Sequence, residues 1–217
     1  MPRWSNPTEK PPPGSDVDWG HPLGRLLLGC WLLNDGSGSR VNDLVNARHG
    51  TLIGDARFAG QGMLFDGTDD YIDIPVPSLS TYSLCVAATP HRVVIGQAVA
   101  SSVDLQFFIQ IGGGIAPWQF QWAVGNAAVQ IGRKSRLVAV QDGTTQRLYE
   151  YGQVVSAASP HASTLTSLNV GRRGDGGTNY FRGLVEYVFL YNRALTPHEV
   201  AWLHAEPYSM IQAPGRR

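Results

Sequence analysis

Side chains able to do acid–base or nucleophilic chemistry are few in this 217-residue chain, and their spacing does not suit it. The five glutamates are Glu9, Glu150, Glu186, Glu199 and Glu206. Retaining glycoside hydrolysis needs two carboxyl groups about 5 Å apart, and no E-x-D-x-x-E strand supplies them. Glu150 and Glu186 fall on separate strand-like stretches without an acidic neighbour at strand spacing, while Glu199 and Glu206 belong to a short helix. Histidines 21, 49, 91, 161, 198 and 204 are scattered, with no G-x-S-x-G elbow beside them. His198 and His204 share the helix, but a spacing of six does not set them on one face as metal ligands. Gly112-Gly113-Gly114 lacks the Lys-Ser/Thr that a phosphate loop requires. Cys30 and Cys85 lie among apolar neighbours and are expected as buried free thiols. The expectation is a protein that binds rather than catalyses.

Residues suited to binding are easier to find. Between Gly171 and Tyr180 a glycine-rich loop carries Arg172, Arg173, Asp175, Asn179 and Tyr180, planar and polar groups that could meet a ligand or simply face water. Trp118, Phe120 and Trp122 alternate with Gln119 and Gln121. On a strand this places three aromatics on one face, either as a sugar platform or, the reading favoured here, inside a core. Trp4 and Trp19 lie in a proline-rich opening stretch with Pro11, Pro12 and Pro13. Proline blocks helix and sheet ladders and favours extended chain. A freely solvated tail rarely needs indoles, so at least one is expected to dock, on its own body or on a partner.

These groups need elements to hold them. Apolar residues make up 43% of the chain and charged residues 16%, enough for one large domain. Lys and Arg number 17, as do Asp and Glu, so a generic nucleic-acid or acidic-membrane binder is not expected. No stretch approaches the roughly 18 apolar residues of a membrane helix, and the first fifteen residues contain no apolar secretory core, so folding in a cytoplasm is expected. Short apolar runs alternate with turn chemistry from Leu23 onward, including a hairpin about Asp142-Gly143. One helix is signalled: Thr196 caps it, Pro197 suits its first position, Glu199 completes a capping box and Pro207 ends it. The expected organisation is an extended arm over 1–22, one all-β domain over 23–206 and a tail over 207–217.

Five phrases in order resemble a known family. Cys30-Trp31-Leu32-Leu33-Asn34-Asp35-Gly36 opens, followed by His49-Gly50-Thr51-Leu52 and by the G-x-G-hydrophobic-x-F-D-G-x-x-D-Y phrase from Gly60 to Tyr71. The hairpin from Val140 to Gly152 and the closing Tyr191-Asn192-Arg193-Ala194-Leu195 phrase with its helix complete the set. Together they resemble LamG-like domains, the laminin-G branch of the concanavalin A-like jelly rolls, over about residues 25–205. The stretch around Cys85-Val86 departs from the pattern in lacking a tryptophan. The resemblance implies a two-sheet jelly-roll β-sandwich with one short C-terminal helix. It also implies calcium as a candidate ligand at one rim, through Asp69, Asp70 and Asp175. Against calcium, Arg172 and Arg173 stand where metal-binding relatives carry acids or amides. The alternative is that Asp66 and Asp69 cap turns while Asp70 and Asp73 pair with arginines.

Two functional expectations follow. The first is a structural surface component of a larger assembly, such as a phage capsid decoration, fibre or tail-associated protein. Other protein subunits would be its partners, the arm its anchor, and cell-surface glycans a further ligand. The second is a free-standing, lectin-like carbohydrate-binding module, with or without calcium.

Overall fold

The computed structural model describes residues 6–102, 108–114, 117–121, 123–156, 159–174 and 179–214. Trp4, Trp122 and Asp175 therefore lie outside the described residues. The early strands are β1 (Asp16–Val17), β2 (Leu27–Trp31), β3 (Arg40–Val41), β4 (Gly50–Ile53), β5 (Arg57–Ala59) and β6 (Gly62–Asp66). Next come β7 (Tyr71–Ile74), β8 (Thr81–Pro90), β9 (Ala98–Ser101), β10 (Phe108–Ile111), β11 (Pro117–Phe120) and β12 (Ala123–Ala128). The series ends with β13 (Ser135–Asp142), β14 (Gln146–Glu150), β15 (Gln153–Val154), β16 (Leu168–Val170), β17 (Arg182–Tyr191), helix α1 (Pro197–Ala205) and β18 (Ile211–Gln212).

Two antiparallel sheets stack as a jelly-roll sandwich. One runs β12-β11-β10-β9-β16-β7-β4-β3, the other β15-β14-β13-β8-β17-β6-β5, with β2 also paired to β17. Between them lies a core that includes Trp31, Phe65, Ile72, Val86, Ile109, Trp118, Phe120, Val170 and Val188. Trp118 and Phe120 thus face inward, as favoured from the alternation, and Gln119 faces outward between them. The Trp118 indole donates to Ser135 Oγ at 2.9 Å, and that hydroxyl donates to Glu150 Oε1 at 2.6 Å. An indole at the core's edge keeps its polar end paired this way.

A second apolar layer covers the other face of the β8–β17 sheet. Cys85, Ala87, Tyr187, Phe189 and Tyr191 point into it, beneath Val200 and Leu203 of α1. Strands β8 and β17 are therefore buried on both faces, which is why their sequences read as unbroken apolar runs. Cys30 and Cys85 are both free and buried, flanking Phe189 on neighbouring strands. Two strand spacings separate them by about 10 Å, beyond disulfide reach. Helix α1 starts with the expected capping box: Glu199 N donates to Thr196 Oγ1 at 3.3 Å and Thr196 N to Glu199 Oε2 at 2.9 Å.

The stretch expected as an extended arm lies against its own body over its described residues. Val17 and Leu23 are buried in the second layer, and β1 pairs with β18 from the chain's far end. Pro11 is buried and its carbonyl accepts from Asn34 Nδ2 at 2.8 Å; Pro7 O accepts from Tyr208 N at 3.0 Å. Lys10 Nζ donates to the carbonyls of Gln61 and Glu186. Among its described large apolar side chains, Trp19 alone stays outward, 56% exposed. The expected tail is likewise seated, with Tyr208, Met210 and Ile211 buried.

Candidate functional site

The outer face of the β9–β16–β7–β4 sheet is polar. Register aligns Thr51, Asp73, Asn169 and Ser101 across four strands, while Ile72, Val170 and Ala100 between them face the core. Asn169 is fully buried and makes two contacts: its Nδ2 donates to Asp73 Oδ1 at 3.0 Å, and its Oδ1 accepts from Arg172 Nε at 2.8 Å. The Arg172 guanidinium lies over the Tyr71 ring, 3.6 Å from its centroid. One buried amide and one aromatic face therefore fix a half-buried cation at a sheet surface.

The loop holding Arg172 is tied at its base. Phe181 N donates to Gly171 O at 2.7 Å, Arg173 N to Asn179 O at 3.3 Å, and Arg172 bridges Tyr180. From β9, Ser101 Oγ donates to Arg172 O at 2.9 Å; just before it, Gln97 Nε2 donates to Tyr180 O at 2.9 Å. Gly171 has φ 97°, and a Cβ there would sit 2.6 Å from the Phe65 ring, so only glycine lets the loop leave the sheet at this point. Four expected loop residues, Arg172, Arg173, Asn179 and Tyr180, are thus brought together at one hairpin. Sequence reasoning missed Tyr71, Asn169 and Gln97 as their supports. The only hint for Asn169 was an amide set between Leu168 and Val170 in a strand-like run.

The two described calcium candidates, Asp69 and Asp70, differ in exposure and partners. Asp70 is 1% exposed, and its two oxygens accept from Asp55 N at 2.7 Å and Asp66 N at 2.9 Å. Burial pushes its carboxyl upward against the pull of those amides, and the Asp66 and Asp55 carboxylates add to the rise. Asp70 therefore ties two turns together instead of presenting free oxygens, and no arginine pairs with it among the described residues. Asp73 pairs with Asn169. Asp66 Oδ1 accepts from Thr68 N at 2.7 Å, as a turn cap does. Asp69 converges with Asp55 and Asp66, each offering an exposed carboxylate oxygen within 4.8 Å of the others. Three carboxylate oxygens suit a hard cation such as calcium, which wants six to eight oxygens in all.

Glu150 and Glu186 are not brought together. They sit on β14 and β17 with β13 and β8 between, so their backbones stand about 14 Å apart. Glu186 is engaged by Lys134, Nζ to Oε1 at 2.7 Å.

Two packed antiparallel sheets, a capped C-terminal helix and a polar outer face define a lectin-like jelly roll. The sequence matches the laminin-G family Laminin_G_3, of the concanavalin A-like lectin/glucanase superfamily, over residues 66–201, and the chain belongs to that family. Among solved structures it is similar to domain 4 of AbnA, a GH43 extracellular arabinanase from Geobacillus stearothermophilus, in complex with arabinotriose. The TM-score is 0.67 at 17% identity, covering 88% of this chain and 99% of that one. It is also similar to Trypanosoma rangeli sialidase, with TM-score 0.66 at 16% identity over 82% of this chain; it spans 32% of the sialidase chain. Likenesses this distant show the fold. A search of curated proteins found no match. No helix among the described residues is long and apolar enough to cross a membrane.

Proposed function

We propose that the protein is a non-catalytic carbohydrate-recognition module whose ligand lies on the outer polar sheet face beside Arg172. The carrying observation is the chain Asp73–Asn169–Arg172 stacked on Tyr71. It commits a fully buried amide to holding one guanidinium in place at a surface. With Nε taken, the remaining N–H groups of Arg172, the Asn179 amide and the Tyr180 hydroxyl suit sugar hydroxyls or a carboxylate. That the arabinanase domain was captured with arabinotriose supports this reading by fold analogy alone. Titration of the native chain and of Arg172→Ala with arabinotriose and with an oligogalacturonide tests it. Equal affinity of the two proteins for every sugar bound would sink it. In the calcium-dependent form of the reading, Asp69 with Asp55 and Asp66 would hold the ion, and a chelator would weaken sugar binding.

A second reading is a component of a larger assembly, such as a phage virion decoration, fibre or tail-associated protein, displayed on the particle surface with other subunits as partners. It is favoured by how the N-terminal segment is fastened. A two-residue strand pair and the Lys10 contacts could be exchanged for equivalents on a neighbouring subunit. Co-sedimentation of the chain with a particle in fixed stoichiometry supports this reading; a free, light fraction in gradients of the native source rejects it.

A further inference from the structure

The N-terminal segment also builds a groove on the opposite side of the sandwich from Arg172. An open cavity of about 520 Å³ is lined by Trp19, His21, Arg25, Leu26, Val45 and Asn46, among others. All of these residues lie outside the family-matched span of 66–201. Two features there are not explained by core packing. Trp19 and Leu26 are 56% and 53% exposed, so neither contributes much to the core. Leu26 also holds φ 55°, a left-handed backbone that is strained for an L-residue and comfortable for glycine. A strained residue that shows its apolar side chain to solvent is an outlier that points to use rather than stability.

The groove is preformed. Gly24 N donates to His21 O at 2.8 Å and Arg25 N to Pro22 O at 3.2 Å, closing the tight turn after Trp19. A Cβ on Gly24 would come 2.8 Å from Asp18 O, so this turn packs directly on the strand entry. Arg193 Nε and Asn192 N fix the carbonyls of Arg25 and Leu26, each at 3.0 Å. On the facing wall Asn46 Nδ2 donates to Leu28 O at 2.9 Å. That fixes the amide plane, and its oxygen has no partner among the described residues. The exposed Arg25 guanidinium makes no ion pair among them either.

We propose that this groove is an oligosaccharide-binding site. Trp19 and Leu26 take the apolar C–H face of a sugar ring, and Arg25 and Asn46 take its hydroxyls. The volume lies within the roughly 300–1,000 Å³ of small-ligand sites. Two exposed apolar side chains in an open trough fall well short of the ~800 Å² per partner that a stable protein interface buries. An indole flanked by one donor group and one acceptor group matches a polyhydroxylated ring better than an apolar peptide.

The test is isothermal titration of arabinotriose, xylotetraose, cellotetraose, chitotriose and mannotriose into the native chain, Trp19→Ala, Leu26→Gly and Arg172→Ala. For at least one of these sugars, Trp19→Ala is expected to lose at least tenfold in affinity. Leu26→Gly should lose about threefold with its melting temperature unchanged or raised, which separates binding from folding. Arg172→Ala removes the outer-face site proposed above and should leave the Trp19-dependent binding event in place, so the two sites are read separately. The proposal is overturned if none of the five sugars binds at millimolar concentration, or if Trp19→Ala binds like the native chain. Loss confined to Arg172→Ala also overturns it, and places sugar binding on the outer sheet face instead. Trp19-dependent binding to a protein surface, with no sugar bound, overturns it in favour of a protein partner.

Discussion

Asp70 decides whether the Asp66–Asp70 turn is built around a buried carboxylate or around an ion. Its two oxygens take the amides of Asp55 and Asp66 at 2.7 and 2.9 Å, and the side chain is closed off from water. Replacing it by alanine leaves both donors without their acceptor. Hydrogen bonds to a charged group are worth about 1.5–3 kcal/mol net each, so Asp70→Ala should lose about 3–6 kcal/mol. For a domain of this size that lowers the melting temperature by roughly 10 °C. Asp70→Asn keeps one acceptor but turns an NH₂ toward the other amide, and should fall between native and alanine. Asp69→Ala, at an exposed site, should stay within about 0.5 kcal/mol of native. Urea unfolding monitored by tryptophan fluorescence, with calorimetry as a check, measures all three in metal-free buffer. A loss below about 1 kcal/mol for Asp70→Ala, or an equal loss for Asp69→Ala, would refute the reasoning.

Lys10 gives a pH signature. Burial pulls its amine down to about 7, with Glu186 opposing. The unfolded chain therefore binds the extra proton between that value and 10.5, so stability should rise with pH across this window and be flat below it. Urea midpoints of Lys10→Met should lack that rise; an unchanged slope would count against the Lys10 contacts. Glu199 acts at the acid end. Burial alone would raise its carboxyl, but the Arg193 guanidinium and the Thr196 amide and hydroxyl hold it below its ordinary 4.5. Its stabilisation is present above that value and fades as pH falls through the lowered one, so Glu199→Gln should be less stable at neutral pH with a shallower acid limb. Gly171→Ala places a methyl against Phe65 at a left-handed position and should cost at least about 2 kcal/mol and displace Arg172. A native-like melting curve with unchanged binding at Arg172 would contradict that.

The sandwich was legible because its signals are local. Asp142-Gly143 sits between alternating runs, and the hairpin follows: Asp142 Oδ1 takes the amides of Thr144 and Thr145, with Gly143 at φ 96°. Thr196, Pro197 and Glu199 likewise spell out the helix start within four residues. The N-terminal segment misled for the converse reason. Proline marks it as unable to form helix or sheet ladder, and that holds for Pro11–Pro13. Nothing local says that Val17 will meet Ile211, nearly the whole chain away, or that Lys10 will reach the bulge of β17 at Glu186. A segment without secondary structure of its own can still be part of the core.

The site was half legible on the same principle. A glycine-rich loop announces itself, so Arg172, Asn179 and Tyr180 could be named from the chain. What gives Arg172 its fixed position is Tyr71 and Asn169, brought beside it by β7–β16 register. Asp70 shows the matching error. A carboxylate in an Asp-Gly turn reads as a ligand, but its neighbour Tyr71 starts a strand whose outward face belongs to Arg172. The turn must then be pulled tight beneath, and Asp70 does that from inside. The same short stretch, Asp69-Asp70-Tyr71, thus divides its work three ways: one exposed carboxylate, one buried tie and one ring that seats a cation. Tyr71 holds Arg172's positive charge only one residue along from Asp70 and two from Asp69. An ion at the acidic rim and an anionic sugar at the guanidinium would therefore be felt by each other through this one turn.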